Sequence, residues 1–287
     1  MLIEADFIKT VVEMIRRAET KLPKDVVRLL EKSAKGGQDS IVKLQLKTMI
    51  ENIKLAEKSK IPICQDTGTL FFFVKLGRKT KLEFDLRRAI NSAFERAAKE
   101  VPLRANLVDP LTRKPTKSGP KQPAVHIELV EGRGLELDLL VKGAGSENWS
   151  RLFMLKPVEG SAAVCRAAIV TLAEAGGRPC PPVVVGLGVG GSAETAPILA
   201  RLALLRRLDR PNPDHTLAKL ERQIETAANG LEIGPMGLGG RPTVLRVLIE
   251  KAACHTASLP VAVAIQCWVA RRAKARLMGN KLEVIEP

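Results

Sequence analysis

The opening of the chain carries apolar residues three and four positions apart, the spacing of amphipathic helices. This pattern predicts a first helix over 3–19 and a second that starts at Pro23 and ends near residues 36–37. Asp39 suits the N-cap of a third helix that continues to about Ser59. Helices of this kind occur in most fold classes, so the opening alone indicates no function.

Beyond residue 61 the pattern changes to short apolar runs separated by loops. Strands are predicted at 70–74, 183–185, 243–249 and 260–265, and a hairpin is predicted from the runs 124–130 and 135–141. Further helices are predicted at 85–100, 160–175 and 192–207, and a basic helix at about 268–278. The long polar stretch 102–123, with five prolines, predicts a functional or mobile loop.

These elements together predict a mixed α+β fold, in which a helical N-terminal part is followed by β-sheets flanked by helices. Hydrophobic residues make up 45% of the chain, enough to bury a substantial core. We expect one domain over 1–287, or two intimate subdomains with a boundary near 120–150. Function is expected in the Gly-rich loops, around 143–145, 186–191 and 234–240.

The net charge of +15 raises the question of nucleic-acid binding, but aromatic residues for base stacking make up only 3% of the chain. An acidic small-molecule substrate or an acidic partner subunit explains the charge more simply. No apolar run approaches the ~20 residues that span a bilayer, and the N-terminus lacks the pattern of a signal peptide. The expectation is a cytoplasmic protein that binds neither membranes nor nucleic acid.

Residues 186–191 read Gly-Leu-Gly-Val-Gly-Gly and match the dinucleotide-binding pattern G-x-G-x-x-G between a strand and a helix. The acidic residue expected ~20 positions later, at the end of a second strand, is not in place. Asp209 follows a predicted helix instead. The alternative is that these glycines allow a close approach of backbone, or that the following helix N-terminus favours an anion.

Five cysteines in a chain without an export signal are expected to be reduced. Taken alone, each of Cys64, Cys180 and Cys267 would more often be a core residue than a ligand, but their positions at loops or strand ends shift the balance towards a metal ligand. Cys165 lies among alanines in a predicted helix and reads as a buried apolar residue. Their spacing, without any C-x-x-C, does not decide between core and ligand.

Five sequence blocks resemble the class I fumarase and tartrate dehydratase family. They are Cys64-Gln65-Asp66-Thr67-Gly68, Gly145-Ser146-Glu147-Asn148, Cys180-Pro181-Pro182-Val183-Val184-Val185-Gly186, Ile233-Gly234-Pro235-Met236-Gly237-Leu238-Gly239-Gly240, and the segment from Ala257-Ser258-Leu259-Pro260 through Gln266-Cys267-Trp268. The blocks appear in the family's order and cover the chain from about residue 40 onward.

The resemblance implies a 4Fe–4S cluster bound by Cys64, Cys180 and Cys267. Three thiolates for four irons leave one iron open to substrate, where it acts as a Lewis acid. The activity implied is the reversible hydration of fumarate to L-malate by a hydro-lyase, and L(+)-tartrate dehydratase is the alternative within the family.

The same resemblance assigns roles to individual residues around the cluster. Gln65 contacts substrate, and Asp66 transfers a proton or orients the reacting hydroxyl, although an Asp-Thr-Gly sequence also forms simple turns. Arg104 binds a substrate carboxylate with its planar fork, and His255 hydrogen-bonds substrate. A backbone contact is expected around Gly145.

Two positions depart from the family pattern: Thr256 stands where a proline is common, and Trp149 follows the Ser-Glu-Asn block. The missing proline predicts a looser loop around His255. Single-chain members of the family also carry a second domain, which this chain of 287 residues does not contain. The resemblance therefore implies an α subunit that acts with a separate β subunit, as an α2β2 assembly.

Overall fold

The computed structural model describes residues 2–36, 39–104, 106–115 and 123–286, in which three helices precede a mixture of strands and helices. The helices are α1 (Glu4–Thr20), α2 (Lys24–Gly36), α3 (Ser40–Ser59), α4 (Leu86–Glu100), α5 (Ala144–Glu147), α6 (Gly160–Ala175), α7 (Thr195–Leu204) and α8 (His215–Asn229). The strands are β1 (Thr69–Gly77), β2 (Ala124–Val130), β3 (Leu135–Lys142), β4 (Arg151–Leu155), β5 (Val183–Gly190), β6 (Val244–Ala252), β7 (Leu259–Gln266), β8 (Arg271–Met278) and β9 (Lys281–Glu286). The predicted mixed α+β fold is confirmed.

The helical opening follows directly from the apolar spacing. In α1, Phe7, Val11 and Ile15 recur every fourth residue and are fully buried. Asp39 precedes α3, and its carboxylate accepts a hydrogen bond from the Ile41 amide at 2.7 Å, as expected of an N-terminal cap. Residue 37, at the predicted end of the second helix, lies outside the described residues, as do residues 105 and 116–122 of the long polar stretch.

The chain forms two compact units, each assembled from separate stretches of sequence. The first unit contains Met1–Pro23, Asn52–Lys142 and Arg271–Pro287, and the second contains Lys24–Glu51 and Gly143–Ala270. In the first unit the sheet order is β2-β1-β3-β8-β9. Buried side chains of α1, α4 and this sheet share one hydrophobic core.

The second unit has a sheet of order β4-β7-β5-β6, with helices on both faces of its central strand β5. Val183, Val185 and Leu187 point into a core shared with α6 and α8. The alternate positions Gly186 and Gly188 face α7, since successive residues of a strand point to opposite faces. The strand is therefore buried on both sides, which fits its continuous apolar and glycine sequence.

The predicted hairpin of 124–130 and 135–141 is wrong, although both strands exist. β1 lies between β2 and β3, parallel to β2 and antiparallel to β3. The intervening loop crosses the end of β1, where Gly77 donates to the Gly134 carbonyl and Lys79 to the Gly132 carbonyl, each at 2.9 Å. β1 is buried over residues 70–74, so it requires a partner strand on each side.

The predicted basic helix over 268–278 is also wrong, because most of that segment is β8. Ala273 and Ala275 alternate into the core of the first unit, and the charged residues between them point the other way. Lys274 forms ion pairs with Glu136 at 3.1 Å and Asp138 at 3.3 Å on the neighbouring strand β3. A run of basic residues can form ion pairs across neighbouring strands, and it can equally lie on the solvent-exposed face of a helix. The basic run alone therefore does not distinguish a strand from a helix.

The G-x-G-x-x-G sequence does not form a phosphate-binding turn, because its first glycines lie within β5. A Cβ atom at Gly186 would lie 2.2 Å from the Ala200 carbonyl oxygen, and one at Gly188 would lie 2.0 Å from the Ala196 carbonyl oxygen. The glycines therefore allow α7 to pack directly on the strand, the close backbone approach expected as the alternative.

Among the described residues, no helix has both the length and the apolar composition needed to cross a membrane.

We predict that Gly188→Ala destabilises the second unit by about 2 to 4 kcal/mol, since the added methyl group displaces α7 from the strand. The measurement is the free energy of unfolding from denaturant titration. Gly36→Ala is the matched control, because nothing lies within 4 Å of a Cβ atom at that helical position. The control is expected to change stability by no more than about 1 kcal/mol. Equal effects of the two substitutions would contradict the packing role of Gly188.

Candidate functional site

The loop that carries Cys64, Gln65 and Asp66 precedes β1 in the first unit, and its backbone is held by distant groups. The Ile63 amide donates to the Glu19 carbonyl oxygen at 2.9 Å, and Asn52 Nδ2 donates to the Ile63 carbonyl oxygen at 3.0 Å. Cys64 is half-buried and Gln65 is exposed. Both therefore follow an anchored residue and are accessible to a ligand.

Asp66 forms the turn that its sequence predicts and also contacts a second segment. Its Oδ1 atom accepts the Gly68 amide at 2.9 Å and Asn106 Nδ2 at 3.4 Å. The Gly68 residue has φ of +70°, and a Cβ atom there would lie 2.6 Å from the Lys142 carbonyl oxygen. Glycine is therefore required at this position, and it seats the loop against the end of β3.

Arg104 lies beside this loop. Its amide donates to Thr67 Oγ1 at 3.0 Å, and Thr67 is 3% exposed. Thr67, Gly68, Arg104 and Asn106 are among the residues that line a small pocket. The structure thus brings the predicted residues Asp66 and Arg104 together on one side of the first unit, and the Arg104 side chain is exposed there.

Cys180 and Cys267 are neighbours in the second unit. Cys180 precedes β5 and Cys267 follows β7, two strands that pair antiparallel with Val184 opposite Gln266. The Trp268 amide donates to the Cys180 carbonyl oxygen at 3.2 Å, which joins the two cysteine segments directly. Both cysteine side chains are half-buried.

The segment before β5 is braced by the second Gly-rich loop, 234–240. The Met236 amide donates to the Pro181 carbonyl oxygen at 2.8 Å, and a Cβ atom at Gly177 would lie 2.8 Å from the Gly237 Cα atom. Cys180 itself has φ of +54°, a left-handed conformation that is uncommon outside glycine. Such strain is stored where the surroundings fix it, commonly at functional sites.

The Ser-Glu-Asn block forms the short helix α5, and Trp149 follows it. The guanidinium groups of Arg151 and Arg178 lie over the Trp149 ring at 4.8 and 4.7 Å from its centroid. A Cβ atom at Gly145 would lie 3.3 Å from the Arg178 carbonyl oxygen. The departure at Trp149 is thereby explained, since the indole ring anchors the chain two residues before Cys180.

His255 lies in the exposed turn between β6 and β7. Its Nδ1 atom accepts the Ala257 amide at 3.1 Å, and its carbonyl oxygen accepts the Ser258 amide at 3.0 Å. A neutral imidazole that accepts at Nδ1 carries its proton on Nε2. The turn therefore orients His255 so that an N–H donor points away from its own backbone.

Sequence reasoning missed two buried charged residues behind the Cys64 loop. Arg271 is 1% exposed and Glu19 is 0% exposed. Arg271 Nη1 donates to Glu19 Oε2 at 2.6 Å, and Arg271 Nη2 donates to the Asp66 carbonyl oxygen at 2.9 Å. Burial raises the pKa of Glu19 to about 7, although the Arg271 guanidinium acts in the opposite direction.

A strand interpretation of residues 271–278 would have revealed Arg271 as an inward residue at the start of β8. Lys142, fully buried at the end of β3, is a further charged residue that the apolar run before it concealed. No local pattern distinguishes Glu19 from the exposed acids of α1. Its role is visible only from contacts 252 residues apart in sequence.

The predicted site residues divide between the two units. Cys64, Gln65, Asp66 and Arg104 belong to the first, and Gly145, Cys180, His255 and Cys267 belong to the second. Within neither unit do the described residues bring three His, Cys, Asp or Glu side chains together as a metal site. Cys165, predicted to be buried, is half-buried and packs against the hydrophobic core of the second unit.

Comparisons with known proteins agree with the resemblance found in the sequence. A model of the family described as fumarate hydratase (Fumerase) matches residues 8–276. A protein of Methanocaldococcus jannaschii named "Putative L(+)-tartrate dehydratase subunit alpha" is 45% identical over 273 residues, 93% of this chain and 96% of its own length. The L(+)-tartrate dehydratase subunit alpha of Escherichia coli strain UTI89 is 36% identical over 266 residues, 91% of this chain and 87% of its own length.

The family match extends from α1 to β8, so it includes every predicted site residue in both units. The alignments with the two relatives likewise cover most of each chain. The chain therefore belongs to the fumarate hydratase (Fumerase) family, which makes it a hydro-lyase.

Proposed function

We propose that this chain is the cluster-bearing α subunit of a two-subunit hydro-lyase that acts on a small dicarboxylate. The reaction adds water across a carbon–carbon double bond, with the hydroxyl group going to one carbon and the proton to its neighbour. The observation that carries the proposal is the placement of Cys180 and Cys267 on adjoining, braced segments, together with Cys64 on an anchored loop.

The donor set fits a 4Fe–4S cluster, because thiolates are the ligands that such clusters require. Cys64, Cys180 and Cys267 would hold it, and the side chains of all three are half-buried and therefore partly accessible. When bound, a cluster with three cysteine ligands supplies an open iron that acts as a Lewis acid on substrate oxygens.

The remaining residues bind and orient the substrate. Arg104 presents a planar guanidinium beside the Asp66 loop and suits bidentate binding of a carboxylate. Asp66 holds its own turn through Oδ1, which fixes the carboxylate that transfers a proton or orients the reacting hydroxyl. Gln65 and the backbone around Gly145 supply further contacts, and His255 donates through Nε2.

Two substrates fit this chemistry, and each is favoured by one observation. The description of the matching family favours fumarate and malate. The names of the two relatives favour L(+)-tartrate, whose dehydration removes a hydroxyl group and the proton of the neighbouring carbon. The same names describe α subunits, which supports a β partner for this chain. We propose that the two subunits form an α2β2 assembly. That partner is expected to supply further carboxylate-binding residues and the catalytic base.

The first test concerns the cysteines. After anaerobic reconstitution, about four irons and four sulfides per chain are expected. Cys64→Ala, Cys180→Ala and Cys267→Ala are each expected to lose the cluster, whereas Cys165→Ala keeps it as the matched control. Iron and sulfide analysis with visible absorption gives the result. A wild-type chain that binds no cluster, or binds one regardless of these three cysteines, would overturn the proposal.

The second test separates the substrates and examines the partner. The chain is assayed alone and with its β subunit on fumarate, L-malate and L(+)-tartrate at equal concentrations. We expect the complete assembly to prefer one substrate class by at least about tenfold in kcat/KM, or ~1.4 kcal/mol. The α chain alone is expected to show little turnover. Full activity of the pure α chain would contradict the two-subunit proposal.

The third test isolates the Nε2 donor of His255. In His255→Asn the side-chain oxygen replaces Nδ1 and preserves the bond from the Ala257 amide, but the outward donor is lost. We expect KM to rise about tenfold, the loss of one hydrogen bond to substrate, with iron content unchanged. His215→Asn, at the exposed start of α8, is the control and should leave KM unchanged. Equal KM values for the two variants would remove His255 from the substrate site.

A further inference from the structure

We propose that Glu19 and Arg271 are positioning residues that hold the loop of Cys64, Gln65 and Asp66 in its working conformation. The inference deepens the proposed function and rests on it, because that loop supplies one cluster ligand and two substrate contacts. Neither Glu19 nor Arg271 touches the substrate in this proposal. Both act through the backbone of the loop.

The pair contacts the loop at both of its ends. Glu19, in the last turn of α1, accepts the Ile63 amide with its carbonyl oxygen at 2.9 Å. Arg271, at the start of β8, donates from Nη2 to the Asp66 carbonyl oxygen at 2.9 Å. The Glu19 and Arg271 side chains are joined at 2.6 Å, so one connected structure fixes the residues on either side of Cys64 and Gln65.

Arginine is suited to this role because its fork offers separate donors to two acceptors. Nη1 is occupied by the Glu19 carboxylate while Nη2 reaches the Asp66 carbonyl oxygen. A lysine ammonium is a compact point charge on a flexible stem and does not reproduce this planar geometry. The loop also lies directly against the guanidinium: a Cβ atom at Gly68 would be 3.2 Å from Arg271 Nη2.

The burial of the Glu19–Arg271 pair indicates that it fixes the conformation of the loop more than it increases the stability of the fold. Both side chains are removed from water, and within the described part of the chain Glu19 Oε1 accepts no hydrogen bond. Desolvation of a buried ion pair commonly offsets its Coulombic gain, so apolar residues would fill such a site with equal stability. Unlike apolar residues, however, the polar pair donates a hydrogen bond to the Asp66 carbonyl oxygen.

The decisive variant is Arg271→Lys, which keeps the charge opposite Glu19 and loses the second arm of the fork. Arg276→Lys is the matched control, because Arg276 lies on the same strand and pairs with Glu136 at 2.8 Å. Val11→Ala on α1 controls for general loss of stability, since Val11 is fully buried in the same core. Glu19→Gln, which keeps the shape and an acceptor oxygen, serves as a second variant if Arg271→Lys does not fold.

Two readouts separate positioning from folding. In the cluster-free chain, the alkylation rate of Cys64 relative to Cys165 is followed by mass spectrometry. We expect it to rise at least about fivefold in Arg271→Lys, since a loop freed by one lost hydrogen bond opens by roughly that factor. In the reconstituted assembly with the β subunit, we expect KM to rise about tenfold, because Gln65 and Asp66 move with the loop.

Arg276→Lys and Val11→Ala are expected to leave both the Cys64 rate and KM at wild-type values. Arg271→Lys behaving like either control would overturn the inference while leaving the proposed function intact. A wild-type assembly without a cluster or hydro-lyase activity would instead overturn the proposed function. In that case the Cys64 alkylation rate still decides whether Arg271 holds the loop.

Discussion

The backbone of a loop that carries candidate ligands must find hydrogen-bond partners without the help of a helix or sheet, and this constraint shapes both units. Buried carbonyl and amide groups are costly when left unpaired. In the first unit, residues at the end of α1 and in α3 form hydrogen bonds with the backbone of Ile63, and Arg271 at the start of β8 donates to the carbonyl oxygen of Asp66. In the second unit, the amides of Met236 and Trp268 donate hydrogen bonds to the carbonyl oxygens of Pro181 and Cys180. Loops fixed in this way hold reactive side chains in place without burying them.

Periodic local signals were sufficient for the helices, because the burial of one face depends on nearby residues. The ranges predicted for α1, α4 and α6 agree with the structure within about two residues, the usual uncertainty of helix ends. Strand pairing is a different problem, since it depends on segments distant in sequence. The hairpin prediction failed for this reason: β2 and β3 are neighbours in sequence, but β1 separates them in the sheet.

The candidate site likewise contains residues that local sequence motifs indicate and residues whose role depends on segments distant in sequence. Short motifs made Cys64, Asp66 and Cys180 candidate site residues because their neighbours carry the family resemblance. The residues that support them were not predictable, since Glu19 and Arg271 lie in segments whose local patterns suit exposed helices. The glycines of β5 show the opposite error, in which a local motif suggests a ligand but serves packing against α7. Only the tertiary structure distinguishes these cases.

The discontinuous composition of the first unit has a consequence for synthesis. Its sheet takes two of its strands, β8 and β9, from residues 271–286, after the whole second unit has been translated. Until then β3 presents an open edge, and the Cys64 loop lacks its Arg271 contact. Emerging chains therefore pass through a state in which one unit is complete and the other is not, a situation prone to misassociation. The Cys64 loop therefore reaches its final set of contacts only after residue 271 has been translated.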